Sequence, residues 1–586
     1  MLTSYAHQFP PHPLFALPWK DKNHVRFFLS PKALPRIALP YIIERGPQYG
    51  ILSSPSSEAT PSEPPSTGGE GRKTILVEFS SPNLGQDFRI DHLRSTILGA
   101  FVANAHESMG WRVVRTNYLG DWGKHIGTLN LGWERHVSPS TGDGEDEGKT
   151  VAERFRRIHD VYAKMAEEIA PQIEAQTQRR KVAISGNGKA GETANGSATG
   201  ETKEEQQEEL DDSLIVTRDA AFKKLEDADP SAIQLWEKIR ATSVEYYQPT
   251  YQRLGIVFDD YSGESIVCRN REKVEAVEAT LREKGISEQG DDGCWVVNFG
   301  NHGAARLGSG QLRSKDGTTT YLLRDVATVL DRWERYAFDK MVYVVGEQDL
   351  HFRQVFMIVK LMGLEDVADK LHHLTFVGGQ HHKRSWGEDL LLGDILDRCE
   401  SYTLNLAEVD PEEIPDGLHS EEKIRMLGIN ALVVQELNTK NRAQHANAIA
   451  ETLVATGGET GLGLQLGYAR LCAAIEQLGT DGSRDGGEVD FSALWEPPWI
   501  ELLRLLVRFP AVTGAAYRSS EPWGVLSYLF LVLDELGYCL DEDDEDDEEG
   551  GGHAEADKFA PRALLFRATK QVLENGMRFL NITPVS

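Results

Sequence analysis

The sequence predicts an α/β fold, a doubly wound, Rossmann-like parallel sheet followed by a mainly α-helical domain. Three observations predict it. Residues 74–79 (TILVEF) are a run of β-formers that enters the loop SSPNLGQD, with a helix and a second strand following. Strand and helix patterns alternate again between residues 294 and 362, where MVYVV at 341–345 reads as a strand buried on both faces. From residue 421 onward, mainly helical periodicities recur.

Composition bounds the rest. The 586 residues suffice for about two to four domains with buried cores. The formal net charge of −29 argues against non-specific nucleic-acid binding and leaves room for a specific RNA partner. Much of the acid is concentrated in two tracts, 201–212 (ETKEEQQEELDD) and 541–549 (DEDDEDDEE). No run of about 18 apolar residues predicts a membrane span. The first residues, MLTSYAHQFPPHPLF, lack a basic and apolar leader and are not Arg-rich, so a cytoplasmic protein is expected. The five cysteines are scattered and never in CxxC spacing, which predicts reduced thiols rather than disulfides or a zinc site.

The elements follow in order. Residues 1–51 form a small N-terminal segment, and 52–73, rich in Ser, Pro and Gly, a disordered linker. The α/β domain is expected over 74–410. Within it, 151–169 has helical spacing, with Phe155, Ile158, Val161, Tyr162 and Met165 on one side. Residues 172–212 read as a low-complexity insertion, and 221–254 as helix again. A short strand is expected at 255–258, an acidic turn at 259–264, strands at 294–299 and 318–323, and amphipathic helices at 324–337 and 352–362. The helical domain spans 411–586, interrupted by an acidic loop at 541–552.

An ordered set of motifs runs along this frame: SSPN at 80–83, HLRST at 92–96, NYLGDWGK at 117–124 and YSGES at 261–265. DGTTTYLLRD at 316–325, DKMVYVVGEQDLH at 339–351 and NGMRFLNITPV at 575–585 continue it. The set resembles the eukaryotic-type arginyl-tRNA synthetases, which are class I aminoacyl-tRNA synthetases. The resemblance covers roughly residues 74–583 outside the insertions. It implies a class I catalytic domain, an inserted subdomain and an α-helical anticodon-binding domain. It also implies a tRNA-binding domain before the catalytic domain, of which residues 1–51 would be a remnant. The reaction implied is ligation of L-arginine to tRNA(Arg), driven by ATP with magnesium. No metal-ligating residues and no membrane are expected, and oligomeric state is not legible.

The resemblance assigns L-arginine binding to Asn83, Glu264, Tyr321, Asp325 and Gln348, all of the family's residue type. The chemistry is consistent. Carboxylates at 264 and 325 suit a guanidinium, Tyr321 can line the alkyl stem, and the amides Asn83 and Gln348 can hold the backbone end. Taken singly, Asp325 reads more readily as a helix N-cap, Glu264 as a surface turn acid and Tyr321 as core. Around Gln348 the family carries two adjacent glutamines, whereas this chain reads GEQDLH.

The nucleotide loops depart further. Where the resemblance implies His-x-Gly-His, the chain has Arg89-Ile90-Asp91-His92. His92 is retained, and Arg89 can supply positive charge to a phosphate. A lysine and a proline of the family align with Gln86 and Asp87, so Gln86, Asp87 and Asp91 each make the loop more negative. The second loop reads His381-His382-Lys383-Arg384-Ser385-Trp386-Gly387, with Lys383 and Arg384 as its cations. The histidines there read as loop residues, not metal ligands. Three functions therefore stand open: a working arginine–tRNA ligase using ATP; an enzyme that consumes preformed arginyl-tRNA, as in cyclodipeptide synthesis, with no nucleotide cofactor; and a non-catalytic arginine- or tRNA-binding protein.

Overall fold

The strand TILVE at Thr74–Glu78 is buried at every position, as a strand covered on both faces must be. The computed structural model describes residues 9–51, 72–137, 148–186, 213–439, 455–478, 489–548 and 556–586, apart from 11, 16, 17, 23, 28, 87, 89, 291, 292, 347 and 377–390. In chain order the strands are β1 (Trp19–Asp21), β2 (His24–Arg26), β3 (Thr74–Glu78), β4 (Arg112–Leu119), β5 (Asp260–Gly263), β6 (Glu288–Gln289), β7 (Trp295–Asn298), β8 (Ser309–Arg313), β9 (Lys340–Val344) and β10 (Leu371–Leu374).

β3, β4, β5, β9 and β10 form one sheet in the order β10-β9-β3-β4-β5, and all four pairings are parallel. The chain steps outward from β3 through β4 to β5, then returns to the other side of β3 with β9. The order therefore reverses between β3 and β9, which is where such sheets open a ligand crevice at their carboxyl ends. β6, β7 and β8 make a separate antiparallel sheet.

The C-terminal part is a helical bundle: Glu421–Leu437, Gly461–Gln477, Trp499–Leu506, Phe509–Ser519, Trp523–Glu548 and Ala556–Phe579. Its core is continuous with the layer of side chains beneath the main sheet. The helix Leu34–Arg45 buries Leu34, Ala38, Leu39 and Ile42 in the same cluster. A 19-residue stretch, Trp523–Asp541, is long and apolar enough to cross a membrane. It packs as a bundle helix, with Val525, Leu526, Leu529 and Val532 buried.

Four expectations are corrected. The strand expected at 255–258 forms instead at β5, over the stretch read as a turn, because Asp260, Tyr261 and Ser262 pair in register with Thr116, Asn117 and Tyr118. The strand expected at 318–323 ends in a helix, Tyr321–Tyr336. The apolar spacing of Leu322, Leu323, Val326 and Val329 continues the helical period upstream and overrides the β-propensity of the three threonines before it. Tyr321 and Asp325 thus lie in the first turns of a helix, not at a strand's end. The insertion expected from residue 172 is helical to 186, since the helix Val151–Gly186 runs through Pro171. Its tail EAQTQRRK is made largely of good helix formers, and 187–212 lies outside the described residues. Likewise 541–548 continues the helix Trp523–Glu548, and 549–552 lies outside the described residues.

Candidate active site

The carboxyl ends of β3, β4, β5 and β9 each deliver residues to one crevice. After β3 the chain turns through Ser80 and Ser81, both left-handed, with φ of 71° and 50°. Hydrogen bonds hold that costly geometry. The Ser80 N–H donates to Ser95 Oγ at 2.8 Å, and Ser95 Oγ donates to the Val344 carbonyl at 2.5 Å. The turn is thereby tied to both the helix Ile90–Ser108 and the end of β9.

Asn83 follows and lies against the end of β4. The Gly120 N–H donates to the Pro82 carbonyl at 3.1 Å, and the Leu84 N–H to the Gly120 carbonyl at 3.0 Å. Gly120 must lack a side chain, because a Cβ there would stand 1.8 Å from Asn83 Oδ1. Asn83 Nδ2 donates to Gln86 Oε1 at 3.0 Å, and Gln86 Nε2 donates to the Tyr162 hydroxyl at 2.9 Å.

Asp121, fully buried after β4, organises the turn that carries Glu264. Its carboxylate accepts from the Ser265 N–H at 2.9 Å, from Ser265 Oγ at 2.7 Å and from Arg240 Nε at 2.8 Å. A Cβ at Gly263 would clash with that carboxylate at 2.4 Å, so glycine there lets the two loops meet.

Glu264 is 3% exposed, and its Oε1 accepts from Arg324 Nε at 2.9 Å. Arg324, also buried, donates to the Thr319 carbonyl at 2.8 Å and lies 4.7 Å from the centroid of the Tyr321 ring. Glu264 Oε2 has no hydrogen-bond partner among the described residues. A buried carboxylate oxygen in that state is unfavourable unless a further donor arrives. Burial pushes the Glu264 carboxyl up to about 8, against the opposing pull of Arg324.

Asp325 stands beside Arg324 and accepts from His351 Nε2 at 2.6 Å. Burial disfavours the charged imidazole, but the Asp325 hydrogen bond and charge outweigh it, so His351 titrates above its ordinary value. Beneath them Glu78, at the end of β3, pairs with Arg332 in the interior. Tyr321 is 54% exposed and forms a rim over this charged floor. Gln348 is exposed and leads into the helix Asp349–Leu361.

The structure thus gathers Glu264, Tyr321 and Asp325 around one floor of paired acids and bases, with Asn83 on the turn after β3. His92 is buried in the helix Ile90–Ser108, its ring centroid 5.4 Å from that of Phe88. Arg89, Lys383 and Arg384 lie outside the described residues, as does the side chain of Asp91. For ATP with magnesium, the described residues offer His92 and the amino-terminal end of a 19-residue helix at the carboxyl edge of the sheet, a setting that suits phosphates.

Sequence reasoning missed Arg324, His351, Asp121 and the Gln86–Tyr162 bridge. Arg324 left one signal: a charged residue amid the apolar positions of an amphipathic helix must pair when buried. The other three are tertiary contacts without a local signature.

The chain's relatives agree with this architecture. The family model for the catalytic domain of class I (R) tRNA synthetases matches residues 65–191 and 198–446, and the DALR anticodon binding domain matches 464–586. A cytoplasmic arginine–tRNA ligase of Saccharomyces cerevisiae is 33% identical over 96% of this chain and 82% of its own length. A probable mitochondrial arginine–tRNA ligase of Homo sapiens is 31% identical over 96% of this chain and 84% of its own length. Among solved structures, an arginyl-tRNA synthetase from Plasmodium falciparum superposes with a TM-score of 0.66 at 18% identity, covering 98% of this chain and 86% of that one. One from Thermus thermophilus also gives 0.66, at 15% identity, over 100% and 90%. Fold, crevice and similarity over nearly the whole length agree: the chain belongs to the class I arginyl-tRNA synthetases.

Proposed function

We propose that the protein joins L-arginine to tRNA(Arg) in an ATP-dependent reaction. The observation that carries this is Glu264. A deeply buried carboxylate with one oxygen on Arg324 and the other without a described partner, beside Asp325 and the Tyr321 ring, is a seat for a second guanidinium. In this reading Glu264 and Asp325 accept from the guanidinium, Tyr321 covers the alkyl stem, and Asn83 and Gln348 hold the α-amino end. ATP with magnesium supplies the activation of the arginine carboxylate. His92 and the amino-terminal end of the helix Ile90–Ser108 are assigned to the phosphates, with Arg89, Lys383 and Arg384 as the proposed cations.

A second reading is favoured by one feature, the more negative loop that Gln86, Asp87 and Asp91 make. In it the same pocket receives the arginyl group of preformed arginyl-tRNA, and the product is an arginine conjugate such as a cyclodipeptide. One experiment separates the two. Purified protein is given L-arginine, tRNA(Arg), ATP with magnesium and labelled pyrophosphate. Arginine-dependent exchange and charging support the ligase. No exchange, with an arginine conjugate formed from supplied arginyl-tRNA, supports the second reading. L-arginine binding without either reaction rejects both in favour of a non-catalytic binder.

A further inference from the structure

Among the described residues, the Gln86 side chain is the one polar group in the turn after β3 that joins an assigned arginine-binding residue to a separate helix. It accepts from Asn83 Nδ2 at 3.0 Å and donates to the Tyr162 hydroxyl at 2.9 Å. Tyr162 belongs to the helix Val151–Gly186 and packs against the main core, so the far end of the bridge is anchored. The polarity of the bridge runs one way. Each amide spends its nitrogen on the next group along, which leaves Asn83 Oδ1 as the carboxamide's other face. That oxygen fills the space over Gly120 that a Cβ would take, at 1.8 Å from it, so only glycine at 120 lets the carboxamide sit where it does.

We propose that Gln86 is a positioning residue that turns Asn83 so that its oxygen, not its nitrogen, faces the α-ammonium group of arginine. The proposal rests on the arginine pocket argued above and assigns a role to a position that pocket does not include. An α-ammonium offers three donors and no acceptor, so only the oxygen end of a carboxamide can receive it. Lysine, which the family resemblance implies at this position, has donors only. It would claim Asn83 Oδ1 for itself and leave the nitrogen toward the ligand. Glutamine at 86 therefore removes a cation from the phosphate side and, in the same change, prepares the amino-acid side.

The test uses the full chain and two ligands in titration calorimetry: L-arginine, and 5-guanidinopentanoate, which has the arginine skeleton without the α-amine. Gln86→Leu and Gln86→Lys are expected to weaken L-arginine binding about tenfold and to change 5-guanidinopentanoate binding by less than about twofold. Gln86→Glu, which still accepts from Asn83, is expected to retain L-arginine binding. It also serves as the control if leucine disturbs the turn, with thermal unfolding recorded for every variant. Equal weakening of both ligands makes Gln86 merely structural and overturns the proposal, as does unchanged L-arginine binding by Gln86→Leu. If the unaltered protein fails to bind L-arginine at all, the pocket assignment falls and this inference with it. If the unaltered protein binds L-arginine and Gln86→Leu does so equally, this inference alone falls.

Discussion

On one side of the candidate pocket, Glu264, Arg324, Asp325 and His351 form two hydrogen-bonded pairs of ionisable groups, at 2.9 Å and 2.6 Å. On the other side, Ser80, Ser95, Asn83 and Gln86 are held by neutral hydrogen bonds of 2.5–3.0 Å. The two sides respond differently to damage. Removing one member of a buried ion pair strands the other charge in a medium that solvates it poorly. Removing one member of a neutral pair costs about one hydrogen bond. A guanidinium has to be matched by charge, so the rigid and expensive construction belongs at the proposed guanidinium seat. The turn after β3 can take a substitution at small cost.

The largest test of that contrast is Arg324→Met. At pH 9, above the value near 8 that burial gives Glu264, it leaves the carboxylate buried without its cation, and urea unfolding should register a loss of about 3–5 kcal/mol. A loss under about 1 kcal/mol would mean that Glu264 is neutral in the folded protein. Next, Glu264→Gln keeps the shape and removes the charge. L-arginine affinity, read by calorimetry, should fall about 100-fold. A change within about twofold would move the guanidinium seat elsewhere.

The third test is pH. The Glu264 carboxyl titrates near 8 when unliganded, and a second guanidinium would pull it down. Binding therefore favours the carboxylate: affinity approaches its plateau above about pH 9 and falls as pH drops, about fivefold from 8 to 7 and toward about tenfold per unit below that. Proton release on binding at pH 7, measured in two buffers of different ionisation enthalpy, checks the sign. Proton uptake would contradict it. Smaller is His351→Gln, which keeps a donor near Asp325 but removes the charge. About a fivefold rise in the arginine KM with little change in the ATP KM is expected. Smallest, on the neutral side, Ser95→Ala removes the tie between the Ser80 turn and β9. It should cost about 1 kcal/mol of stability by urea unfolding. A cost equal to that of Arg324→Met would erase the contrast.

The fold class was legible because buried parallel strands write themselves as short apolar runs, such as TILVE and MVYVV, and bundle helices as 3.6-residue periods. Local propensity failed where pairing or helix continuation overrode it. β5 formed over DYSG, which reads as a turn, and the helix at Tyr321 began directly after three threonines. Glu264, Tyr321 and Asp325 stood out only through resemblance, since each alone has an ordinary structural reading. Arg324 and His351 complete the charged floor from sequence separations of 60 and 26 residues. Nothing local announces such contacts. Arg89, Lys383 and Arg384 remain sequence assignments, because they fall outside the described residues.

The segment before the main sheet is bound to the far end of the chain. Tyr49 donates to the Leu506 carbonyl at 3.0 Å, Thr513 donates to the Gly50 carbonyl at 2.7 Å, and Asn575 donates to the carbonyls of Gly46 and Tyr49 at 2.9 Å. Tyr49 also stacks on Phe509, centroid to centroid 6.0 Å. These contacts join residues more than 450 positions apart, so the peptide between 51 and 72 carries little of the attachment. A chain nicked there by a protease should migrate as one particle, and the two pieces, expressed apart, should reassemble on mixing. During synthesis, the early helix Leu34–Arg45 must wait for nearly the whole remaining chain before its apolar face is covered, and that interval is when a chaperone has most to do.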